Sequence, residues 1–227
     1  MTNLKLSNRL LKISSLVKNH DVIIDVGCDH ALLDIYLTKN KIVKKAIATD
    51  ITRGAIKMAL KNVSYYDCLN VDVREGNGLD TLKKEDNVSL IIMSGLGNQK
   101  IVSILNDNKE KLHNIRELII QSNTGYFELR KEIVKLGYII EDEVLVKENN
   151  IIYVIIKFNK GQKKYNNKQL YFGPILIKNK NTLFRELVSK DIHKNKLILD
   201  KLPSKKVFKK LKIRLKIRKL KKEIKGL

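Results

Sequence analysis

The stretch VIIDVGCDHA, residues 22–31, decides the fold. Its first residues form a short apolar run of the kind that predicts a buried strand, and Gly27 follows this run. Glycine at that point permits a tight turn and lets a ligand approach the backbone closely. Two acids, Asp25 and Asp29, flank the glycine, and His30 follows them. One acid would fit a turn, whereas two acids beside a histidine indicate a functional site.

Strand-like and helix-like segments alternate through the first 158 residues. The strand-like segments are VIIDV, KKAIATD, NVDVREGNGL, VSLIIMSGLGN and RELIIQSN, and amphipathic helices such as TRGAIKMALKNV and YFELRKEIVKLGY lie between them. This alternation predicts a parallel sheet covered on both faces, a Rossmann-like α/β fold. The segment after them predicts a hairpin that turns at Asn149 and Asn150 and adds strands at one edge.

The composition is that of a globular chain, with 43% hydrophobic and 31% charged residues among 227. No apolar run approaches the roughly 20 residues that a membrane helix needs, so we expect no membrane association. The start of the chain lacks a signal-peptide pattern, which predicts a cytoplasmic protein. Cys28 and Cys68 fit no metal-ligand spacing, and we expect no metal site.

The positive charge is concentrated towards the end of the chain. Residues 1–158 hold 23 Lys and Arg against 20 Asp and Glu, whereas residues 159–227 hold 23 against 4. A coding bias towards lysine would affect both parts alike, so it does not explain this asymmetry. A basic segment beside a near-neutral domain predicts a polyanionic partner, and nucleic acid fits better than a membrane surface.

We therefore expect two domains, residues 1–160 and 161–227. In the second, Pro203 interrupts helical patterning, and near-heptad apolar spacing follows it, which predicts a coiled-coil-like hairpin of two helices. The same segment also alternates apolar and polar residues from Leu211 to Ile217, as a strand would. Its length and its Lys and Leu content favour helix. The heptad positions are Ile213, Ile217, Leu220, Ile224 and Leu227.

Glycines and polar residues follow the predicted strands, where ligands bind in open α/β sheets. Asp50, at the end of the second strand, suits hydrogen bonds from both hydroxyls of a ribose. The turn after the third strand would then lie beside an adenine. The candidate cofactor-binding residues are Asp25, Gly27, Cys28, His30, Asp50, Ile51, Gly76, Asn77, Gly78, Leu79, Ser94, Gly95 and Leu96.

The first loop differs from that of a dinucleotide-binding protein. A pyrophosphate needs three glycines against a helix N-terminus, whereas this loop reads DVGCDH and places Asp29 where a phosphate would lie. A carboxylate there disfavours an anion and suits a cation. S-adenosylmethionine has a ribose, an adenine, a positive sulfonium and no phosphate, so the loop predicts a methyltransferase rather than a dehydrogenase.

Over nearly its whole length, the chain resembles the bacterial tRNA adenine-22 N1-methyltransferase family. DVGCDHALLDIYL corresponds to the family pattern D-I-G-S-D-H-A-Y-L-P, and AIATDITRGA, GNGL, IIQSN and FGPILIKNKN follow in the family's order. Three departures stand out: GLGN for G-M-G-G, QSN for Q-P-N and Cys28 for Ser. The resemblance implies a class I methyltransferase sheet with a helical C-terminal domain, S-adenosylmethionine as cofactor and tRNA as partner.

The resemblance also implies a catalytic role for Asp29. Its carboxylate would accept a hydrogen bond from the exocyclic amine of adenine and stabilise the cationic product. The position equally suits a helix N-cap, and the two roles are compatible. His30 is expected to be a structural or rim residue rather than a catalytic one, and Arg9 a solvated charge rather than a phosphate contact. Candidates for stacking on RNA bases are Tyr126, Phe127 and Tyr165.

The resemblance thus implies a protein that methylates N1 of adenine 22 in tRNA, and we expect it to be a monomer. One alternative is a class I methyltransferase that acts on another RNA, such as ribosomal RNA. A second alternative is a non-catalytic RNA-binding module with a vestigial cofactor pocket, which the replacement of a family glycine by Asn98 favours.

Overall fold

The computed structural model describes residues 4–225. Its strands are β1 (Val22–Val26), β2 (Lys45–Asp50), β3 (Val71–Glu75), β4 (Leu90–Leu96), β5 (Glu117–Ser122), β6 (Tyr138–Glu148) and β7 (Ile151–Lys160). Its α-helices are α1 (Asn8–Ser14), α2 (Leu32–Lys39), α3 (Arg53–Tyr65), α4 (Asn98–Asp107), α5 (Tyr126–Lys135), α6 (Asn167–Phe172), α7 (Leu176–Asn179), α8 (Thr182–Lys201) and α9 (Val207–Ile224). None of these described helices is long and apolar enough to cross a membrane.

The strands form one mixed sheet in the order β3-β2-β1-β4-β5-β7-β6. The first five strands are parallel, and β7 is antiparallel to both β5 and β6. The hairpin at Asn149 and Asn150 is confirmed, and both residues have the positive φ that a tight two-residue turn requires. The strand order reverses between β1 and β4, and ligands bind beyond the strand ends at such a point.

Burial on both faces explains the apolar run that opens the fold. Ile23 and Ile24 of β1 are fully buried, as are Ile91 and Ile92 of the neighbouring β4. A parallel sheet covered on both faces reads as a continuous hydrophobic run rather than an alternating one. In β1 and β4 the polar side chains, Asp25 and Ser94, consequently lie towards the carboxyl ends of the strands.

The chain divides into two compact units, Met1–Tyr171 and Phe172–Leu227. This boundary falls later than the one expected from sequence, because residues 161–171 are tied to the first unit. The buried guanidinium of Arg130, for example, donates to the carbonyl oxygen of Leu170 at 3.0 Å. Such long-range contacts leave no periodic signal in the sequence.

The second unit contains a helical hairpin. Lys216 of α9 lies 3.8 Å from Asp191 of α8, and the short connection between the helices makes that pairing antiparallel. The prediction of helix is therefore confirmed, and the strand alternative is wrong. Ile217 and Leu220 are buried, whereas Leu211 is half exposed because it lies off the packed face. The heptad position Leu227 lies outside the described residues.

Candidate functional site

A cleft of about 310 Å³ opens at the carboxyl ends of β1, β2 and β4. It brings together Asp25, Gly27, Cys28, Asp29, His30, Asp50, Ser94, Gly95 and Leu96, all of them candidates from sequence. It also contains four residues that sequence reasoning did not place in the site: Arg9, Leu10, Leu32 and Leu33.

The other candidates lie beside this cleft rather than in its lining. Ile51 is 61% exposed, and Leu79 is fully buried. The turn after β3, residues 76–78, is anchored next to Asp50, because the N–H of Gly76 donates to the Asp50 carbonyl oxygen at 2.9 Å. Packing also demands glycine here: a Cβ on Gly78 would approach Ile104 to 2.9 Å. Asn77 completes the turn and accepts a hydrogen bond from the Lys100 ammonium at 2.9 Å.

Backbone bonds hold the first loop in an unusual conformation. The N–H groups of Gly27 and Cys28 both donate to the Thr49 carbonyl oxygen, at 2.8 and 3.0 Å. Gly27 has φ +80°, a region that glycine enters without steric cost. Asp29 follows with φ 52°, also in the left-handed region. The loop thereby turns sharply and leaves its backbone open towards the cleft.

The carboxylate of Asp29 is exposed to solvent and does not cap the N-terminus of α2. Its side chain is 77% exposed, and its Oδ1 lies 3.3 Å from Nε2 of His30. The following helix begins at Leu32, with Ala31 at the cap position and no side-chain capping bond. The N-cap interpretation of Asp29 is therefore wrong, and its carboxylate remains available to a ligand.

Asp50 is positioned by the turn that precedes α3. Its Oδ1 accepts from the N–H and the hydroxyl of Thr52, at 2.8 and 2.7 Å. Its Oδ2 accepts a longer bond, 3.4 Å, from the N–H of Asp29. A carboxylate has about four acceptor sites. Asp50 is thus fixed in place and keeps acceptor capacity for ligand hydroxyls.

Arg9 was expected to be a solvated charge, and that expectation is wrong. Its Nη1 donates to Oε1 of Gln121 at 2.8 Å, and its guanidinium lies 5.2 Å from the centre of the Tyr153 ring. Its Nε is buried and has no hydrogen-bond partner. In the sequence, Arg9 lies in LSNRL, residues 6–10, ahead of the motifs from which the site was predicted. The structure makes it a fixed cation in the wall of the cleft.

Gln121 organises the far wall of the cleft. It is fully buried, and its Oε1 accepts three hydrogen bonds: from Arg9, from the hydroxyl of Ser94 at 3.0 Å and from the N–H of Gly95 at 3.0 Å. The end of β4 is therefore held to β5 by one side chain. In the sequence, Gln121 is one residue of the predicted strand RELIIQSN, and no pattern there indicates its role.

Two buried acids lie beneath the first loop. Burial, followed by repulsion from Asp50, raises the pKa of Asp25 to about 7, and Arg9 opposes this shift. Burial also raises the pKa of Asp34 well above its usual value, with repulsion from Asp25 as the next cause. Neither carboxylate oxygen of Asp34 has a hydrogen-bond partner. Burial and the nearby acids likewise raise the pKa of the Cys28 thiol, so it stays protonated.

The charges of the cleft suit a cationic or zwitterionic nucleoside. Three carboxylates line it, together with one permanent cation among the described lining residues, Arg9. Carboxylates repel a phosphate. They attract a positively charged sulfonium and accept hydrogen bonds from ribose hydroxyls. The buried, unpartnered Nε of Arg9 and Oδ1 of Asp25 add one donor and one acceptor. The residues thus fit S-adenosylmethionine. Residues 4–225 contain no cluster of His, Cys, Asp and Glu arranged for a metal.

Comparison with known proteins agrees with the S-adenosylmethionine site inferred from the cleft. A family model described as tRNA (adenine(22)-N(1))-methyltransferase matches residues 23–223. The tRNA (adenine(22)-N(1))-methyltransferase of Bacillus subtilis (strain 168) is 31% identical over 209 residues, covering 89% of this chain and 87% of that protein.

Two solved structures are similar over both units. A candidate tRNA (m1A22) methyltransferase of Streptococcus pneumoniae, in complex with S-adenosyl-L-methionine, has a TM-score of 0.90 and 30% identity, and the match covers 97% of this chain and 100% of that one. TrmK of M. capricolum, in complex with S-adenosyl-homocysteine, has a TM-score of 0.86 and 32% identity, with 96% of each chain covered.

Proposed function

The chain belongs to the tRNA (adenine(22)-N(1))-methyltransferase family, and we infer that it is an S-adenosylmethionine-dependent enzyme that methylates N1 of adenine 22 in tRNA. The observation that carries this function is the cleft at the switch point of the sheet. Its glycine loop and the carboxylates of Asp25, Asp29 and Asp50 all lie within the residues that the family model matches.

S-adenosylmethionine supplies an electrophilic methyl group on a positively charged sulfur. We propose that Asp50 accepts hydrogen bonds from the ribose hydroxyls through its spare acceptor capacity. Arg9 has one buried, unpartnered donor atom and Asp25 one buried, unpartnered acceptor atom, which supports contacts to the carboxylate and ammonium of the methionine part. Further proposed cofactor contacts are Gly27, Cys28, His30, Ile51, Gly76, Asn77, Gly78, Leu79, Ser94, Gly95 and Leu96.

Asp29 is the proposed catalytic residue. Adenine N1 already has an in-plane lone pair, so the reaction needs orientation and charge stabilisation rather than a base. The exposed carboxylate of Asp29 would accept a hydrogen bond from the exocyclic amine, which turns N1 towards the methyl donor. The same carboxylate stabilises the positive charge that develops on the base. The conformation of the first loop, fixed by bonds to Thr49, keeps this carboxylate at the cleft.

The basic second unit supports a role in tRNA binding. Lysine contacts to the phosphate backbone would offset the few kcal/mol needed to expose a base that is paired or stacked in folded tRNA. Recognition would then depend largely on the shape of the tRNA. We propose that the enzyme acts on tRNA as a monomer.

The function is tested by incubating the protein with S-adenosylmethionine and unmodified tRNA and locating the methyl group by mass spectrometry. N1-methyladenine at position 22 is the expected product. A methyl group on a different base, or incorporation only into ribosomal RNA, would replace this function by another one in the same fold class.

A further inference from the structure

The second unit exposes an aromatic side chain that sequence reasoning passed over. Phe208 is 84% exposed and its neighbour Val207 is 65% exposed, at the very start of α9. The aromatic candidates from sequence are engaged elsewhere: the Tyr165 hydroxyl accepts from the N–H of Ile140 at 2.9 Å. Exposed apolar groups that cluster on a surface mark contact sites.

Lysines surround this aromatic residue. We define residues 201–210, KLPSKKVFKK, as the hairpin tip; it contains five lysines and no acid. Lys205 and Lys206 precede the apolar pair, and Lys209 and Lys210 follow it. Residues 203–209 are all exposed. The hairpin tip therefore combines one accessible ring with a concentrated positive charge.

The lysines also lie at the end of α9 where the helix dipole favours acidic residues. α9 has no acidic residue in its first turn, and Lys206 at its N-cap makes no side-chain capping bond. The N-terminus of a helix is the positive end of its dipole, so acids stabilise that end and lysines disfavour it. Violations of a local rule without a structural gain are typical of functional sites. A bound anion would relieve this conflict, because the N–H groups at the start of a helix donate hydrogen bonds to anions.

We propose that the hairpin tip binds tRNA by stacking an unpaired base on Phe208 while its lysines and the start of α9 hold the adjoining phosphates. An aromatic platform among cations is the usual composition of a single-strand binding surface. The exposed large apolar side chains of α9 are those of Val207, Phe208, Leu211 and Leu215. They form a narrow stripe on a lysine-rich helix rather than the wide apolar face that interfacial helices bury, so a membrane is a poorer fit. The proposal rests on the proposed function, which makes tRNA the polyanion that this protein meets.

Binding of unmodified tRNA to the full-length protein, followed by fluorescence anisotropy, tests the proposal. Phe208→Ala should weaken binding about 5- to 150-fold, the range for loss of one stacked base. Phe208→Trp should bind like the wild type, because it keeps a stacking face. Leu197→Ala is the matched control, since Leu197 is a half-exposed apolar residue of α8 outside the hairpin tip; its affinity should not change.

Steady-state kinetics distinguish a failure of base stacking on Phe208 from a failure of the proposed methyltransferase activity. Phe208→Ala should raise KM for tRNA while kcat at saturating tRNA and the Kd for S-adenosylmethionine stay at wild-type values. Unchanged tRNA affinity in Phe208→Ala, or an equal loss in Leu197→Ala, would overturn the proposal. So would Phe208-dependent binding to anionic phospholipid vesicles, or Phe208-dependent dimerisation, without any effect on tRNA. A wild-type protein that binds tRNA through Phe208 but transfers no methyl group would contradict only the proposed function.

Discussion

Arg9 and Gln121 are joined by a hydrogen bond of 2.8 Å between Nη1 and Oε1, although 112 residues separate them in the chain. The bond connects the first helix to the central sheet at the wall of the cleft. Because Gln121 also holds Ser94 and Gly95, the same side chain fixes a cation and the end of β4. The guanidinium is thereby oriented before any ligand arrives.

This orientation predicts that Arg9→Ala weakens cofactor binding. Loss of a charged hydrogen bond costs about 1.5–3 kcal/mol, which corresponds to roughly 10- to 150-fold in Kd. Titration calorimetry with S-adenosylmethionine measures it. Lys5→Ala, an exposed lysine shortly before the same helix, is the control and should bind normally. Equal affinities in the two variants would remove Arg9 from the cofactor site.

Asp29→Asn should lower kcat by two orders of magnitude or more and leave the Kd for S-adenosylmethionine within about tenfold. Asparagine tolerates the left-handed backbone at this position, so the loop should keep its shape. Asp67→Asn is the matched control, because Asp67 is exposed and has a similar φ of 48° away from the cleft. Single-turnover kinetics provide the measurement. Normal turnover in Asp29→Asn would reduce Asp29 to a loop residue.

Asp34 predicts a pH dependence of stability. A raised pKa in the folded state means that the stability contributed by the protonated acid is complete below its unfolded pKa, about 4, and is lost as pH rises towards the folded pKa. The loss is up to about 1.4 kcal/mol per pH unit in that window. Asp25, with a pKa of about 7, contributes the same trend between pH 4 and 7.

Asp34→Asn should therefore flatten the decline in unfolding free energy above pH 4. Asp34→Pro, the residue of the family pattern, should do so too, because position 34 lies in the first turn of α2, where a free N–H is not needed. Urea denaturation between pH 4.5 and 8 measures both. Curves for wild type and variants that run parallel over this range would show that Asp34 does not titrate in it.

The side chain of Asn98 packs closely against the backbone of Gly125, so substitutions at these two positions should be energetically coupled. A Cβ on Gly125 would lie 2.4 Å from Cγ of Asn98, and Gly125 has φ +67°. Gly125→Ala should thus lose about 1–2 kcal/mol to backbone strain and more to the clash. In an Asn98→Gly background only the strain remains, so the double-mutant cycle should show a favourable coupling energy. Additive changes in unfolding free energy would disprove the coupling.

The strands and the residues at their carboxyl ends could be predicted from the sequence, because their pattern is repeated along the chain. The apolar run before Asp25 predicted a strand buried on both faces, and the residues after each strand converged because parallel strands end at one edge. For the same reason Asp50 and Ser94 were correctly predicted to lie at the cleft. Leu79, predicted there as well, is instead fully buried beside it.

Features that depend on contacts distant in sequence could not be read in this way. Arg9 is a cleft residue only because Gln121 and Tyr153 hold it there. Asp34 reads as an ordinary acid in the first turn of a helix, a favourable position, and only the packing of that helix makes it a buried charge. The accessibility of Phe208 likewise follows from which face of α9 is packed.

The most direct test of methylation at adenine 22 compares two transcripts of one tRNA, one with adenine and one with guanine at position 22. Each is incubated with the wild-type protein and S-adenosylmethionine. Methyl incorporation is counted per tRNA, and the modified nucleoside is located by mass spectrometry. Close to one methyl group, at N1 of adenine 22, is expected in the first transcript and none in the second. Equal incorporation into both transcripts would contradict methylation at adenine 22.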